Sequence, residues 1–320
     1  MKKLSLSIIS LLLFLSAGCS LFTSTSDNQK TAGNIAGLSV EEIDKRLSEL
    51  PPFLTMGDLF NTTVLEPTQL FDNVYFVGYV SVGSFIIKTT DGLILIDAMW
   101  TPNDAEAVII PGMKALGLNP ADIKYVVITH GHADHYGAAK YLEEKYAAKI
   151  LISKADWDFI HSPDAPVLTD PFGNYSTEIP LPNSYIEVKD GQQIQLGNTS
   201  ITALLTPGHT PGSVSLVIPV TDNGVAHNVA LWGGTGLPGT RKSNEAYLES
   251  LNRFEEVANI GGVDANISTH PFAHNLISQM EALKKRQPNE ANPIITGNAA
   301  FREYVDSVLR KNVTDKLATF

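Results

Sequence analysis

Thr129-His130-Gly131-His132-Ala133-Asp134-His135-Tyr136-Gly137 constrains this chain more than any other stretch. Four potential metal ligands fall within six residues, directly after the short apolar run 125–129, which reads as a buried strand. The strand fixes the start of the loop. His130 and His132 are spaced i, i+2, and a loop can turn alternate imidazoles inward. Asp134 and His135 follow at the entrance of a helix. Neutral imidazoles together with a carboxylate suit zinc. The competing reading is a solvated polar loop. Three histidines packed together without a metal repel one another when protonated, which weighs against it.

The chain has 320 residues, enough for one large domain or two small ones, and 43% are apolar, ordinary for a protein with a real core. The net charge is −11, with Lys and Arg scattered. No concentrated basic face is visible, so nucleic acid is not an expected partner. Met1-Lys2-Lys3, the apolar run 4–15 and the small residues Ser16-Ala17-Gly18 have the layout of a secretory signal peptide over 1–18, too short for a comfortable membrane span. Cys19, the single cysteine of the chain, follows directly. Leu15-Ser16-Ala17-Gly18-Cys19 resembles a bacterial lipoprotein signal, with Leu four rather than three residues before the Cys. The alternative is a plain signal peptide with an incidental cysteine. One cysteine excludes an intramolecular disulfide and leaves no thiolate ligand for the mature domain.

Residues 19–36 are rich in Ser, Thr and Asn and read as a lipid-anchored flexible tether. An N-terminal helical extension is expected over 37–66, with Ser39 and Glu42 as a capping box and Pro51-Pro52 ending the helix. The main body is expected over 67–285, with a helical tail over 286–320. Strands are expected at 74–79, 84–89, 93–96, 125–129, 149–153, 185–188, 193–196, 199–205, 229–232, 265–268 and 214–218, the last closed by Pro219. Helices are expected at 103–116, where Pro111 kinks or breaks the run, and at 136–147, 244–259, 275–285 and 299–311. Two strand-rich halves with helices imply an α/β (α+β) fold in which two sheets pack face to face with helices outside.

The run His-Gly-His-Ala-Asp-His resembles the H-x-H-x-D-H signature of the metallo-β-lactamase superfamily. Leu95-Ile96-Asp97, Thr206-Pro207-Gly208-His209 and Ser268-Thr269-His270-Pro271 resemble its other motifs, in the right order. The resemblance covers roughly residues 70–285 and implies a four-layer αββα sandwich. It also implies that His130, His132 and His209 hold one zinc, and that Asp134, His135 and His270 hold a second. Two metals with three protein ligands each leave positions for a shared hydroxide and for substrate, with Asp134 orienting the nucleophile. Asp97 is a candidate to accept a hydrogen bond from a ligand imidazole or to brace the loop; the plain alternative is a turn-capping Asp. Many members carry a bridging Asp where this chain reads Leu231-Trp232-Gly233-Gly234-Thr235. The resemblance is therefore to the cysteine-free β-lactamase subclass. Thr235 either replaces a ligand through water or lines the pocket, and the glycines permit a tight turn. His274 is a supporting or surface residue, or else a further ligand. His161 and His227 read as surface residues, and Trp100 as either cleft or core.

These features imply a zinc-dependent hydrolase that uses a dizinc-bound hydroxide to open an amide or ester, with a β-lactam as one candidate small-molecule substrate. Another small ester, lactone or thioester is the alternative. A lipid-anchored, metal-stabilised binding protein is the non-enzyme alternative, and the presence of all six candidate ligands speaks against it. Ser20 stands where an Asp would retain a lipoprotein at the inner membrane, so in a two-membrane host the outer membrane facing the periplasm is expected. Cys19→Ser is expected to abolish labelling by a fatty-acid probe; labelling that persists in this variant would remove the anchor.

Overall fold

The computed structural model describes residues 61–162 and 179–320. The signal peptide, Cys19, the tether and the Ser39–Glu42 capping box lie outside the described residues. The first sheet has seven strands in sequence order: β1 (Val64–Phe71), β2 (Val74–Tyr79), β3 (Gly83–Thr89), β4 (Gly92–Ile96), β5 (Ile123–Val127), β6 (Lys149–Ile152) and β7 (Ile186–Glu187). The second has β8 (Gln192–Leu196), β9 (Thr199–Leu205), β10 (Val214–Asp222), β11 (Val225–Leu231) and β12 (Ala265–Ile267), in the order β12-β11-β10-β9-β8.

Side-chain alternation along these strands decides the layering. Phe85, Ile87, Ile94 and Ile96 of the first sheet meet Ile201, Leu216, Ile218 and Leu231 of the second in one buried cluster between the sheets. Ile86, Leu93 and Leu95, one residue out of phase, face the other way and pack against helices. The outer face of the second sheet, with Val217 and Ala230, is covered by α5 (Arg241–Ile260) and α7 (298–317), with α6 (Leu276–Leu283) lying between them in sequence. Tyr247, Leu251, Phe254 and Ala258 of α5 and Phe301, Val305, Leu309 and Val313 of α7 are spaced by three or four, so each helix offers one apolar stripe. The result is the expected helix–sheet–sheet–helix sandwich. The segment after residue 285 contributes to its outer layer.

Strands β1 to β4 run antiparallel, and β4 to β7 are parallel, which requires crossovers. The helix α1 (102–115) joins β4 to β5; α2 (Ala133–Tyr136) and α3 (Ala139–Tyr146) join β5 to β6; α4 (Lys154–Ile160) joins β6 towards β7. The loops after β4, β5 and β6 therefore open at one end of the sheet, where open α/β folds place their ligands. The second sheet brings the β9–β10 loop and the ends of β11 and β12 to that end. Val214 N–H donates to Thr129 O at 2.7 Å and Gly83 N–H to Thr269 O at 2.9 Å, tying the sheets together there.

Several boundaries differ from expectation for identifiable reasons. β1 begins at Val64, ahead of Pro67. β10 runs on through Pro219 to Asp222. The last β9–β10 pair is Val217 with Thr202, so the missing proline N–H falls where no β9 partner remains. Before Pro111, α1 widens into a π turn over Ala105–Ile109, with Ile110 N–H bonding Ala105 O, which relieves the clash a proline ring makes inside a helix. The expected helix 136–147 is split into α2 and α3. At the break Gly137 N–H donates to Met99 O and Ala138 N–H to Ala98 O. A Cβ on Gly137 would sit 1.8 Å from the carbonyl oxygen of Trp100, so no other residue fits this approach without moving one loop. Gly137→Ala is expected to destabilise the fold by about 1–3 kcal/mol, the overpacking range. An unchanged urea midpoint would show that the two loops are not clamped here.

Candidate metal centre

The strand ends bring six side chains into two groups whose ligand atoms lie within 4.8 Å of one another: His130, His132 and His209, and Asp134, His135 and His270. The groups are neighbours, since the rings of His130 and His135 have centroids 3.8 Å apart. His130 Nε2 and His209 Nε2 face each other at 3.1 Å, and His135 Nε2 and His270 Nε2 at 3.2 Å. Asp134 Oδ2 lies 3.3 Å from His135 Nε2 and 3.6 Å from His270 Nε2.

The opposite ring nitrogens explain why the Nε2 atoms converge. His209 Nδ1–H donates to Gly236 O at 2.6 Å, His270 Nδ1–H to Ser81 O at 2.7 Å, and His135 Nδ1–H to the carboxylate of Asp97 at 2.6 Å. These acceptors hold a proton on each Nδ1 and turn the Nε2 atoms toward one another. Facing lone pairs repel unless a cation or a proton lies between them. The donor set of buried imidazoles and one carboxylate therefore fits a divalent metal.

Asp97 braces the whole loop. Its carboxylate accepts from Thr129 N at 2.7 Å and from Thr129 Oγ1 at 2.8 Å in addition to His135. The turn-capping alternative is set aside by these partners. Asp97 and Met99 both have positive φ, 59° and 52°, uncommon for residues with a Cβ and characteristic of functional loops. Ala98 N–H donates to His135 O at 2.7 Å, so this strained turn and the ligand helix hold each other.

Electrostatics separates the two groups. Burial pushes His130 and His209 well below the ordinary imidazole value, His132 down to about 4, and His270 also down. Burial acts on His135 in the same sense, but the carboxylates of Asp134 and Asp97 outweigh it and carry His135 up to about 10. Burial likewise opposes the charge of Asp134, and His135, His270 and His132 outweigh it, so the carboxyl stays ionised far below its usual range. Without a metal, the second group thus balances its carboxylates with a proton on His135. A divalent cation bound there would take that proton's place.

His274 is not in either group: its Nε2 bonds Asn266 Nδ2 at 2.7 Å, and its ring meets Tyr304 edge-on, away from the ligand atoms. Thr235 is not in either group; its carbonyl accepts from Tyr247, and it lines a small cavity with Tyr304 and Ala273. Gly234 serves close approach: a Cβ there would lie 2.5 Å from Cβ of His209. Trp100 is buried in the core between the first sheet and its helices. His161 lies against Trp157 with the two rings tilted, and His227 pairs with Asp264 at 2.6 Å. The sequence reading missed α4 and its fully buried Asp156, which accepts from Gly131 N, Gly212 N and Thr210 Oγ1. The available signal was Ser153 followed three residues later by an acidic residue, a helix-start pattern.

Residues 77–223 match the Metallo-beta-lactamase superfamily model. The structure is similar to that of BJP-1, a subclass B3 metallo-β-lactamase of Bradyrhizobium japonicum, with 25% identity and a TM-score of 0.67 over 83% of this chain and 98% of that one. It is similar also to the FEZ-1 metallo-β-lactamase of Legionella gormanii, with 25% identity and a TM-score of 0.69 over 81% and 97% of the two chains. In sequence it is 26% identical over 173 residues to the N-acyl homoserine lactonase AttM of Rhizobium radiobacter, a match that spans 51% of this chain and 64% of that relative.

In the metal-free protein at pH 8, the His135 ring is expected to carry both protons, since its value lies near 10 rather than 6.5, and excess zinc should remove one. Nitrogen NMR of the ring checks this. A neutral His135 ring in metal-free protein at that pH would contradict the charge balance described above.

Proposed function

We propose that this protein is a zinc-dependent hydrolase that opens a cyclic amide or ester, with two zinc ions per chain, one at His130, His132 and His209 and one at Asp134, His135 and His270. The carrying observation is the convergence of the Nε2 atoms of His130, His209, His135 and His270, the last three backed by an acceptor on the opposite nitrogen. Zinc at these positions supplies a Lewis acid for the substrate carbonyl and lowers the pKa of water so that hydroxide exists near neutral pH. The chain's own residues do the rest. Asp134 carries a permanent negative charge beside both groups, and its carboxylate can accept a hydrogen bond from the attacking water and fix its direction. Because this carboxyl stays ionised, it orients the nucleophile without storing its proton; the leaving nitrogen or oxygen takes up a proton as the ring opens. Gly233 and Gly234 pack hard against Val214 O and His209, and they bring no carboxylate to either group.

Two substrate classes are supported. The likeness to β-lactamases over most of the chain favours a β-lactam. The AttM relative favours a lactone, a second cyclic acyl compound that the same attack would open. Thioesters and open-chain esters follow. The N-terminal sequence supports export and a lipid anchor at Cys19, which would put the enzyme on a membrane surface where it meets small molecules entering the cell.

A screen of the mature protein with nitrocefin, a carbapenem, acyl lactones, aryl esters and acyl thioesters separates the classes; turnover of none of them with zinc present would leave the binding-protein reading. On the substrate so found, Asp134→Ala should lower kcat by at least roughly 10²-fold, the scale of losing a positioned electrostatic group. Metal content should fall by about one equivalent with a native circular dichroism spectrum. Near-normal kcat in this variant would remove Asp134 from the mechanism.

A further inference from the structure

We infer that Asp156 is a positioning residue for the His130, His132 and His209 group: one buried carboxylate that sets the spacing between the two loops carrying all three imidazoles. The inference rests on the metal-binding reading above. Asp156 sits in the first turn of α4 and is fully buried. Its Oδ2 accepts from Gly131 N at 2.7 Å and from Thr210 Oγ1 at 2.6 Å; its Oδ1 accepts from Gly212 N at 2.7 Å. Gly131 is the single residue between His130 and His132, and Thr210 follows His209 directly. The carboxylate thus bonds a loop of the first sheet and a loop of the second at the points where their ligands leave the backbone.

The peptide N–H of Gly131 is shared geometry for two ligands. Rotating that peptide would swing His130 and His132 together, and charge-assisted bonds are the strongest available restraint against it. On the other side, Thr210 Oγ1 is fixed in turn by Ser213 Oγ at 2.7 Å, and Ser153 Oγ donates to Gly212 O at 2.6 Å while accepting from Asp156 N. An acidic residue that served only the start of α4 would not need partners in two distant loops. Asp156 touches no ligand ring, so it acts through the backbone.

The test uses the mature full chain, metal-free, titrated with zinc against a competing chelator. The variant Asp156→Asn keeps size and shape but points an N–H₂ at one of the N–H or O–H donors. In a His270→Ala background, where the three-histidine group is the complete one, Asp156→Asn should weaken zinc binding roughly 10- to 100-fold, the effect typical of removing a support behind metal ligands. In a His209→Ala background, where the Asp134 group is the complete one, it should change nothing. Equal loss in both backgrounds, or none in either, overturns the inference, since a merely structural role would not choose between groups. If Asp156→Asn fails to fold, Thr210→Val removes one of the three bonds and should still weaken the three-histidine group alone, with Thr210→Ser restoring it; a Thr210→Val chain that binds normally overturns the inference too. Failure of the underlying reading looks different: the parent chain, with neither background change, would take up no zinc at all.

Discussion

The facing lone pairs of buried imidazoles are the constraint on which the rest of this structure depends. Nitrogens with no proton between them do not rest about 3 Å apart in a protein interior unless something holds them there or sits between them. Here the holding is done from behind. Gly236 O, Ser81 O and the Asp97 carboxylate come from three separate segments, and each takes the proton of one ring. The strand ends that deliver these acceptors must therefore meet at one edge, and the two sheets must keep a fixed offset. The inter-sheet bonds from Val214 to Thr129 and from Gly83 to Thr269 lie at that same edge.

This arrangement has a cost, and it is concentrated in the turn after β4. Positive φ at Asp97 and Met99 costs on the order of 1–3 kcal/mol each. What offsets it is visible in the contacts: three donors on the Asp97 carboxylate, charge-assisted and buried, together with the backbone bonds from Ala98, Gly137 and Ala138 across the turn. Strain and ligand support are therefore one feature, and the turn is as rigid as the loop it braces.

Much of this was legible in the amino-acid sequence itself. The ligand loop could be read because three histidines and an aspartate crowded behind an apolar strand suit a metal and little else, and β3, β4 and β9 could be read as strands, although β3 and β4 are buried on both faces and their sidedness comes only from the packing. The limits were set by tertiary context. Pro219 looks like a strand end until the pairing shows that β10 has already parted from β9 there while β11 still pairs with it. Residues 136–147 look like one helix because the interruption at Gly137 is imposed by the carbonyl of Trp100, a contact across 37 residues that no local pattern records. His274, four residues from His270, has the spacing of a partner on a helical turn, yet the short turn at Pro271–Ala273 gives way to extended backbone at His274 and sends its ring to Asn266 instead. Asp156 was invisible for the same reason: its three donors come from Gly131, Thr210 and Gly212, two backbone groups and a hydroxyl scattered along the sequence.

The two buried carboxylates behind the site divide the work by charge. Asp97 bonds a ligand ring directly, and with Asp134 it concentrates negative charge around His135, so that group is electrostatically incomplete without a proton or a cation. Asp156 meets only backbone N–H groups and a hydroxyl, and burial without a cationic neighbour pushes it up to about 6. Its negative charge is balanced by dipoles alone, and the three imidazoles it positions stay neutral. The three-histidine group is thereby preorganised as a neutral cup, and its neighbour as an anionic one. An asymmetric pair of this kind is suited to a reaction in which one side polarises a neutral carbonyl while the other keeps an oxygen nucleophile beside a fixed carboxylate.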